Sequence, residues 1–281
     1  MQAMTSQNTD FHPVPLMMLY GDDYDEVDRE IQTILTWYLG SPRGRKNEAV
    51  QCLNSLRLRR GQHERGSPES ERAFFRRFWK TFLILVKQIK RSNGAVRDIA
   101  LLIYELSSMP PTFQRTTNPW SNLPGLREAI DSLWHEPTND EDTYIPFTEW
   151  VNLNAFAALL YGMDLLGCCG LGIKALCRAY ETIHPPFETL QDCRVKAAAQ
   201  WMHFAPAKML VVMHIEPRSG DQHNYRSSIF TGRKVFSLER WIFWKGGFER
   251  DSVSQDDDAG IAFTLMDRAD GGMPTSQRRR H

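Results

Sequence analysis

The sequence predicts an all-α protein, a single multi-helix domain around one buried central helix with flexible termini. Three observations predict it. Within Phe147 to Gly167, the run from Trp150 onward is apolar on every side and interrupted only by Asn152, Asn154 and Asp164, the pattern of a helix inside a core. Around 67–91, Phe74, Phe75, Phe78, Trp79, Phe82, Leu85, Val86 and Ile89 recur at ~100° per residue on one face, as an amphipathic helix requires. Elsewhere, apolar segments of helical spacing alternate with Gly and Pro breaks. Met209-Leu-Val-Val-Met213 has β-branched character and reads as a short strand or the continuation of a helix; no partner strand is visible, which favours the helix. The implied organisation is a flexible lead over 1–20, a helical domain over 21–250 and a disordered tail over 251–281.

The elements follow in order. Asp22-Asp23 can cap a helix from Tyr24 to Leu39, with Val27, Ile31, Ile34, Leu35 and Tyr38 on one face. Gly40-Ser-Pro-Arg-Gly44 breaks it. Asn47 to Arg60 forms a second helix, and 61–66 links onward. Ser67-Pro-Glu-Ser-Glu71 is a helix start, with a Ser cap, Pro at the first position and acids in the first turn. That helix runs to Arg91, where Asn93-Gly94 stops it. Val96 to Leu106 is another, closed by Pro110-Pro111. Thr112 to Leu123 reads as a loop, Pro124 to Trp134 as a short helix, and His135 to Tyr144 as an acidic loop. Pro146 precedes the central helix, with Thr148 as its N-cap and Glu149 in its first turn. Ile173 to Ile183 and Leu190 to Phe204 follow. Ser237 caps the last helix, Leu238 to about Arg250. The Asp-, Gly- and Ser-rich remainder, ending Arg278-Arg-Arg-His281, has the composition of a disordered segment.

Composition narrows the function classes. The chain has 281 residues, 42% hydrophobic and 11% aromatic, with a formal net charge of zero. A chain of this size needs no disulfide or metal staple, and zero net charge gives no global pull toward nucleic acid or anionic lipid. The five cysteines, Cys52, Cys168, Cys169, Cys177 and Cys193, form no Cys-x-x-Cys pair. They read as reduced thiols packing like small hydrophobes, which points to an intracellular location, cytoplasmic or nuclear. The N-terminal region lacks the basic, apolar pattern of a secretion signal. A membrane span is not expected either, because three polar side chains and two glycines interrupt the apolar run.

No motif commits to a reaction. Gly167-x-x-Gly-x-Gly172 with Lys174 lacks the phosphate-loop spacing and joins two helices, where a nucleotide loop follows a strand. The eight histidines include no His-Glu-x-x-His. His214-Ile-Glu216 is not followed by the Pro-Cys-x-x-Cys of a zinc deaminase, and there is no Gly-x-Ser-x-Gly elbow. No catalytic residue, metal ligand or cofactor is therefore assigned. Adjacent Cys168-Cys169 in apolar surroundings is expected to have raised thiol pKa values, the wrong direction for a nucleophile.

Two candidate sites remain. Buried Asn or Asp must find partners, so Trp150, Asn154 and Asp164 could line an interior polar pocket for a small ligand or substrate. Arg72, Arg76, Arg77, Lys80, Lys87, Lys90 and Arg91 could form an interaction face. From Arg43 to Asp98 there are 15 Lys or Arg against 5 Asp or Glu, and from Ile99 to Trp150 there are 2 against 8. Such asymmetry fits an anionic partner. The leading expectation is a non-enzymatic protein-interaction or scaffold module with a protein partner. The pocket is the second reading, and a nucleic-acid binder using the 43–98 basic band is the third. No aromatics interleave with the basic face, so base stacking lacks a platform. Trp241, Trp244 and Phe248, at spacings of three and four, read as the stripe that docks the last helix.

Three strings carry a resemblance: Glu149-Trp-Val-Asn-Leu-Asn-Ala-Phe156, Ala198-Ala-Gln-Trp-Met202 and Phe236-Ser-Leu-Glu-Arg-Trp-Ile-Phe-Trp-Lys245. In that order the chain resembles the fungal "domain of unknown function 3632" family over about Asp22 to Arg250. The resemblance implies a helical intracellular protein with no assigned activity, cofactor or catalytic residue. The chain departs from the family at Leu159, where an Arg is expected, and at Gly246-Gly247, where a charged pair is expected.

Overall fold

A computed structural model describes residues 25–40, 45–63, 69–91, 94–111, 117–137, 146–183, 188–215, 229–232, 236–253 and 257–271. These residues form eleven α-helices and no strand, so the protein is all-α. They are α1 Glu26–Leu39, α2 Lys46–His63, α3 Glu69–Val86, α4 Ala95–Ser107, α5 Leu126–Leu133, α6 Phe147–Gly162, α7 Cys169–Tyr180, α8 Glu188–Phe204, α9 Pro206–Val212, α10 Leu238–Ser252 and α11 Asp257–Gly271. The chain divides into two compact units, Met1–Glu136 and Pro137–His281. None of these helices is long and apolar enough to cross a membrane. The expected lead over 1–20, the Asp22-Asp23 cap and the Ser67-Pro68 start lie outside the described residues.

In the first unit, α1 packs on α2 and α3, α2 on α3 and α4, and α3 on α5. α1 begins at Asp25. Its carboxylate accepts from the N–H groups of Val27 (2.8 Å) and Asp28 (3.2 Å), while Asp28 accepts from the Asp25 N–H, a reciprocal capping box. The aromatic face of α3 closes on Trp120, which sequence had placed in a loop. Phe75 and Phe78 meet its ring edge-on at 5.0 Å, and its Nε1 donates to Asn54 Oδ1 at 3.1 Å. α3 ends at Val86, five residues before the expected Arg91. Leu83, which is not on the aromatic face, is also fully buried, because the last turn of α3 is enclosed on nearly every side. Gly125, with φ of +81°, precedes α5 and moves its start from Pro124 to Leu126.

In the second unit, every residue of α6 from Trp150 to Leu160 is buried, as expected for the apolar run. The hub is nevertheless α8, which packs on α6, α7, α9 and α11. Thr148 is not the cap, because α6 begins at Phe147 with Pro146 in the cap position. α6 also ends at Gly162 and not at Gly167. Asp164, with φ of +61°, takes the chain out of the helix. α7 starts at Cys169, four residues before the expected Ile173, so Gly172 lies inside a helix. A Cβ there would fall 2.6 Å from the Trp201 ring, so glycine admits that indole. Pro206–Val212 is helical, which decides Met209–Val212 for the helix over the strand, and residues 213–215 form a turn. Ser237 caps α10 by accepting from the Arg240 N–H at 3.2 Å.

The expectation of a disordered tail over 251–281 is corrected over 257–271 by α11, and residues 272–281 lie outside the described residues. Ala259, Ala262 and Met266 are fully buried, and α11 packs on α8, α9 and α10. Small residues at helical spacing make this contact, and the surrounding Asp and Gly hid it.

Candidate functional site

Trp150, Asn154 and Asp164 do not meet in one pocket. Trp150 and Asn154 lie one turn apart on α6, and Asn154 is fully buried. Asn154 Nδ2 donates to the Trp150 carbonyl at 3.0 Å, and its Oδ1 accepts from Trp201 Nε1 at 3.1 Å. The amide thus satisfies its own helix and joins α6 to α8. Asp164, expected inside, is corrected: its side chain is 88% exposed and pairs with Lys208 Nζ at 2.6 Å. A turn after a helix end has no core around it, which is why the carboxylate faces solvent. Lys208 also donates to the Tyr161 carbonyl at 3.1 Å and lies 5.8 Å from the Tyr161 ring centre. Burial, then the neighbouring Cys169, Cys168 and Asp164, push the Tyr161 hydroxyl up to about 12.

A buried ion pair in the second unit forms a cluster that sequence reasoning missed. Glu181 and Arg240 are 0% and 2% exposed. Arg240 Nε donates to Glu181 Oε1 at 2.6 Å and Nη2 to Oε2 at 2.7 Å, a bidentate pair. Trp244 Nε1 donates to Glu181 Oε1 at 2.6 Å, and Arg240 Nη2 reaches Cys177 Sγ at 3.2 Å. The guanidinium also lies 5.5 Å from the ring centres of Phe230 and Trp244. Glu181 follows the last residue of α7, and Arg240 sits in the first turn of α10. Each charge is therefore at the helix end of unfavourable sign, and each is compensated by the other. Burial opposes the charge on Arg240, but the hydrogen bonds and charge of Glu181 hold it above its ordinary value. Burial pushes the Cys177 thiol up to about 12 despite Arg240, with Glu181 adding to the rise. A buried thiol in that state is no nucleophile. The available signal was an Arg within a Trp stripe at a helix start, which is unusual for a face that docks inward.

The rest of the 236–245 string is also engaged. Trp241 Nε1 donates to Asp270 Oδ1 at 2.8 Å, and Lys245 Nζ pairs with Asp267 at 2.8 Å and Asp270 at 2.7 Å. Both ties hold α10 to α11.

The basic face divides. Arg72, Arg76 and Lys80 are exposed on α3. Arg77 turns to α1, where it pairs with Asp25 and with fully buried Asp28. Burial would raise the Asp28 carboxyl, but hydrogen bonds from Arg77, Thr81 and the Asp25 N–H, together with the Arg77 charge, hold it below the ordinary value of 3.8. Lys87, Lys90 and Arg91 lie past the end of α3. Phe74, Phe75, Phe78 and Trp79 are all buried, so no aromatic ring stands on the exposed stripe. Among the described residues, no group of three or more His, Cys, Asp or Glu is placed to hold a metal ion.

No curated protein and no solved structure matches the chain. Residues 79–248 match the family described as "Protein of unknown function (DUF3632)". The match begins later than the expected Asp22 and includes all three strings that carry the resemblance. With more than half of its length matched, the chain belongs to that family.

Proposed function

We propose that the chain is a non-enzymatic protein-interaction module that acts inside the cell, in the cytoplasm or nucleus. The observation that carries the reading is the exposed Arg72–Arg76–Lys80 stripe on α3. The contrast with the family strings supports it. Asn154, Arg240, Trp241, Trp244 and Lys245 all spend their polar groups on internal bonds, leaving them little to offer a substrate. The interior-pocket reading has less support, since the Asn154 amide is engaged on both sides and Asp164 faces solvent. The intracellular placement rests on five cysteines that form no disulfide, which suit a reducing compartment. Affinity purification of the tagged full chain from cell extract tests the reading, with a stoichiometric protein partner expected. A thermal-shift screen against metabolites and nucleotides runs beside it. A saturating small ligand with no stoichiometric partner sinks the reading, because a ligand at about 100 times its Kd adds ~2.7 kcal/mol of stability.

A further inference from the structure

We propose that α8, α9 and α10 form a groove for a partner protein's helix that carries small residues and a pair of carboxylates, and that α11 is this chain's own occupant of the groove. The surface lies apart from the stripe on α3 and uses none of its cations. Only the choice of a protein partner rests on the interaction reading above.

The resident helix shows what the groove reads. α11 packs on α8, α9 and α10, and its inward stripe is narrow. Ala259, Ala262 and Met266, at i, i+3 and i+7, are fully buried. Those are anchor positions of an amphipathic helix laid in a groove. Asp270 continues the stripe one turn beyond Met266, about 17 Å from Ala259 along the helix axis, and accepts from Trp241 Nε1 at 2.8 Å. Lys245 Nζ bridges Asp267 at 2.8 Å and Asp270 at 2.7 Å. The hydrogen bond from Lys245, then its charge, hold the Asp267 carboxyl below its ordinary value of 3.8. The groove therefore has two distinct parts. Its floor meets alanine at two positions, and its far end sets an indole N–H beside an ammonium, which suits acids three residues apart.

Two observations make α11 a displaceable occupant and not a fixed wall. Trp241 and Lys245 lie within the matched residues 79–248, whereas α11 lies beyond them, so the groove belongs to the family region and its occupant does not. The second observation is that α11 is held lightly. Two of its three fully buried side chains are alanines, so it withdraws little apolar surface from water. Its neighbour α10 buries Trp241, Trp244 and Phe248 completely. The ion pairs at the far end reach solvent, with the Asp267 side chain 68% exposed, where such pairs contribute little and are screened by salt. An element held by few apolar contacts opens locally before the fold as a whole. What replaces α11 must repeat its pattern. A large side chain at either alanine position meets the packed floor, and a helix without the two acids leaves Trp241 Nε1 and Lys245 without acceptors.

Two measurements on the full-length protein test this. In native-state hydrogen exchange, α11 amides should exchange at least about tenfold faster than those of α8. Equal protection of the two helices overturns the proposal, since a helix that leaves only on global unfolding opens no groove. The second measurement is fluorescence anisotropy with a labelled peptide of residues 257–271. The tethered helix competes at an effective concentration on the order of millimolar, so wild type should bind the peptide weakly. D267K/D270K, which turns the resident acids against Lys245, should bind it at least about tenfold more tightly, and Ala262→Arg should do the same. A peptide with Asn at both acid positions should bind these variants at least about tenfold more weakly than the native peptide. Thermal melts show that the variants fold, and the exchange measurement on wild type decides the matter if neither does. No binding by the folded variants, or equal binding of the Asn peptide, overturns the proposal. Dimerisation of a loosened variant that excess peptide does not reverse makes a second copy the occupant and overturns the choice of partner. Each of these failures leaves a stoichiometric partner from cell extract, and with it the interaction reading, intact.

Discussion

Glu181 and Arg240 hold two helix ends together that would otherwise carry the wrong charges. Removing one member leaves the other ionised, buried and unpaired, at a cost of about 3–5 kcal/mol. Glu181→Ala should therefore lower the urea midpoint strongly. Joint replacement, Glu181→Leu with Arg240→Met, should recover much of the loss, since apolar pairs of similar volume often replace buried ion pairs at little cost. A double variant as unstable as the single would show that shape, and not charge, dominates there. Asp28 makes a pH prediction. Its folded carboxyl is held below 3.8, so the unfolded chain takes up its proton first as pH falls. The stabilising contribution is present above about pH 4 and is lost as pH drops through the folded value. Asp28→Asn should lower the melting temperature at neutral pH and flatten its decline toward pH ~3. Melts that fall in parallel for both proteins would refute this role.

The glycine pair in α10 separates two effects that sequence merges. Read along the chain, Gly246-Gly247 only weakens a helix. In the fold the two differ. A Cβ on Gly247 would lie 2.5 Å from the Tyr180 ring, whereas at Gly246 the nearest group is Arg250 Nη1 at 3.7 Å. Gly246→Ala should stabilise by about 0.5–1 kcal/mol through helix propensity. Gly247→Ala should destabilise, because Tyr180 is fixed by packing on Phe248 and by its hydroxyl bond to Asp251. Denaturant unfolding of the two variants checks the opposite signs, and a gain from both would mean that Tyr180 moves at little cost. The same contrast explains what was legible. α3 and α6 were visible because their apolar patterns are long and, in α3, periodic. α11 was not, because only Ala259, Ala262 and Met266 anchor it within a run rich in Asp and Gly. Trp120 sits in a turn with no period to reveal its burial. Arg240 and Glu181 meet only after folding, from opposite sides of a long stretch of chain.

Across the molecule, the strings that mark the family define interior contacts: Asn154 with Trp201, Arg240 and Trp244 with Glu181, and Trp241 and Lys245 with α11. That explains why the candidate pocket looked chemical from sequence. A buried polar residue has the same appearance in a string whether it meets a ligand or another helix. The only candidate left facing solvent as a coherent row, Arg72–Arg76–Lys80, lies at the margin of the matched region, so family membership carries no role to it. The thiols give a direct probe of whether the interior is as closed as its packing implies. Cys52 is exposed and Cys169 half-buried, whereas Cys168, Cys177 and Cys193 are buried. Cys168 and Cys193 donate to the carbonyls of Ala157 and Phe147 at 3.6 Å, and Cys177 is pushed up to about 12. A thiol reagent must meet a thiolate to react. Native protein should therefore label quickly at Cys52 and more slowly at Cys169, with the other three released only as the fold opens. Cys52→Ser should remove the fast phase alone. If the three buried thiols label in native buffer as fast as Cys52, the core around α6, α7 and α8 opens freely, and the internal bonds assigned to the family strings cannot be what holds it shut.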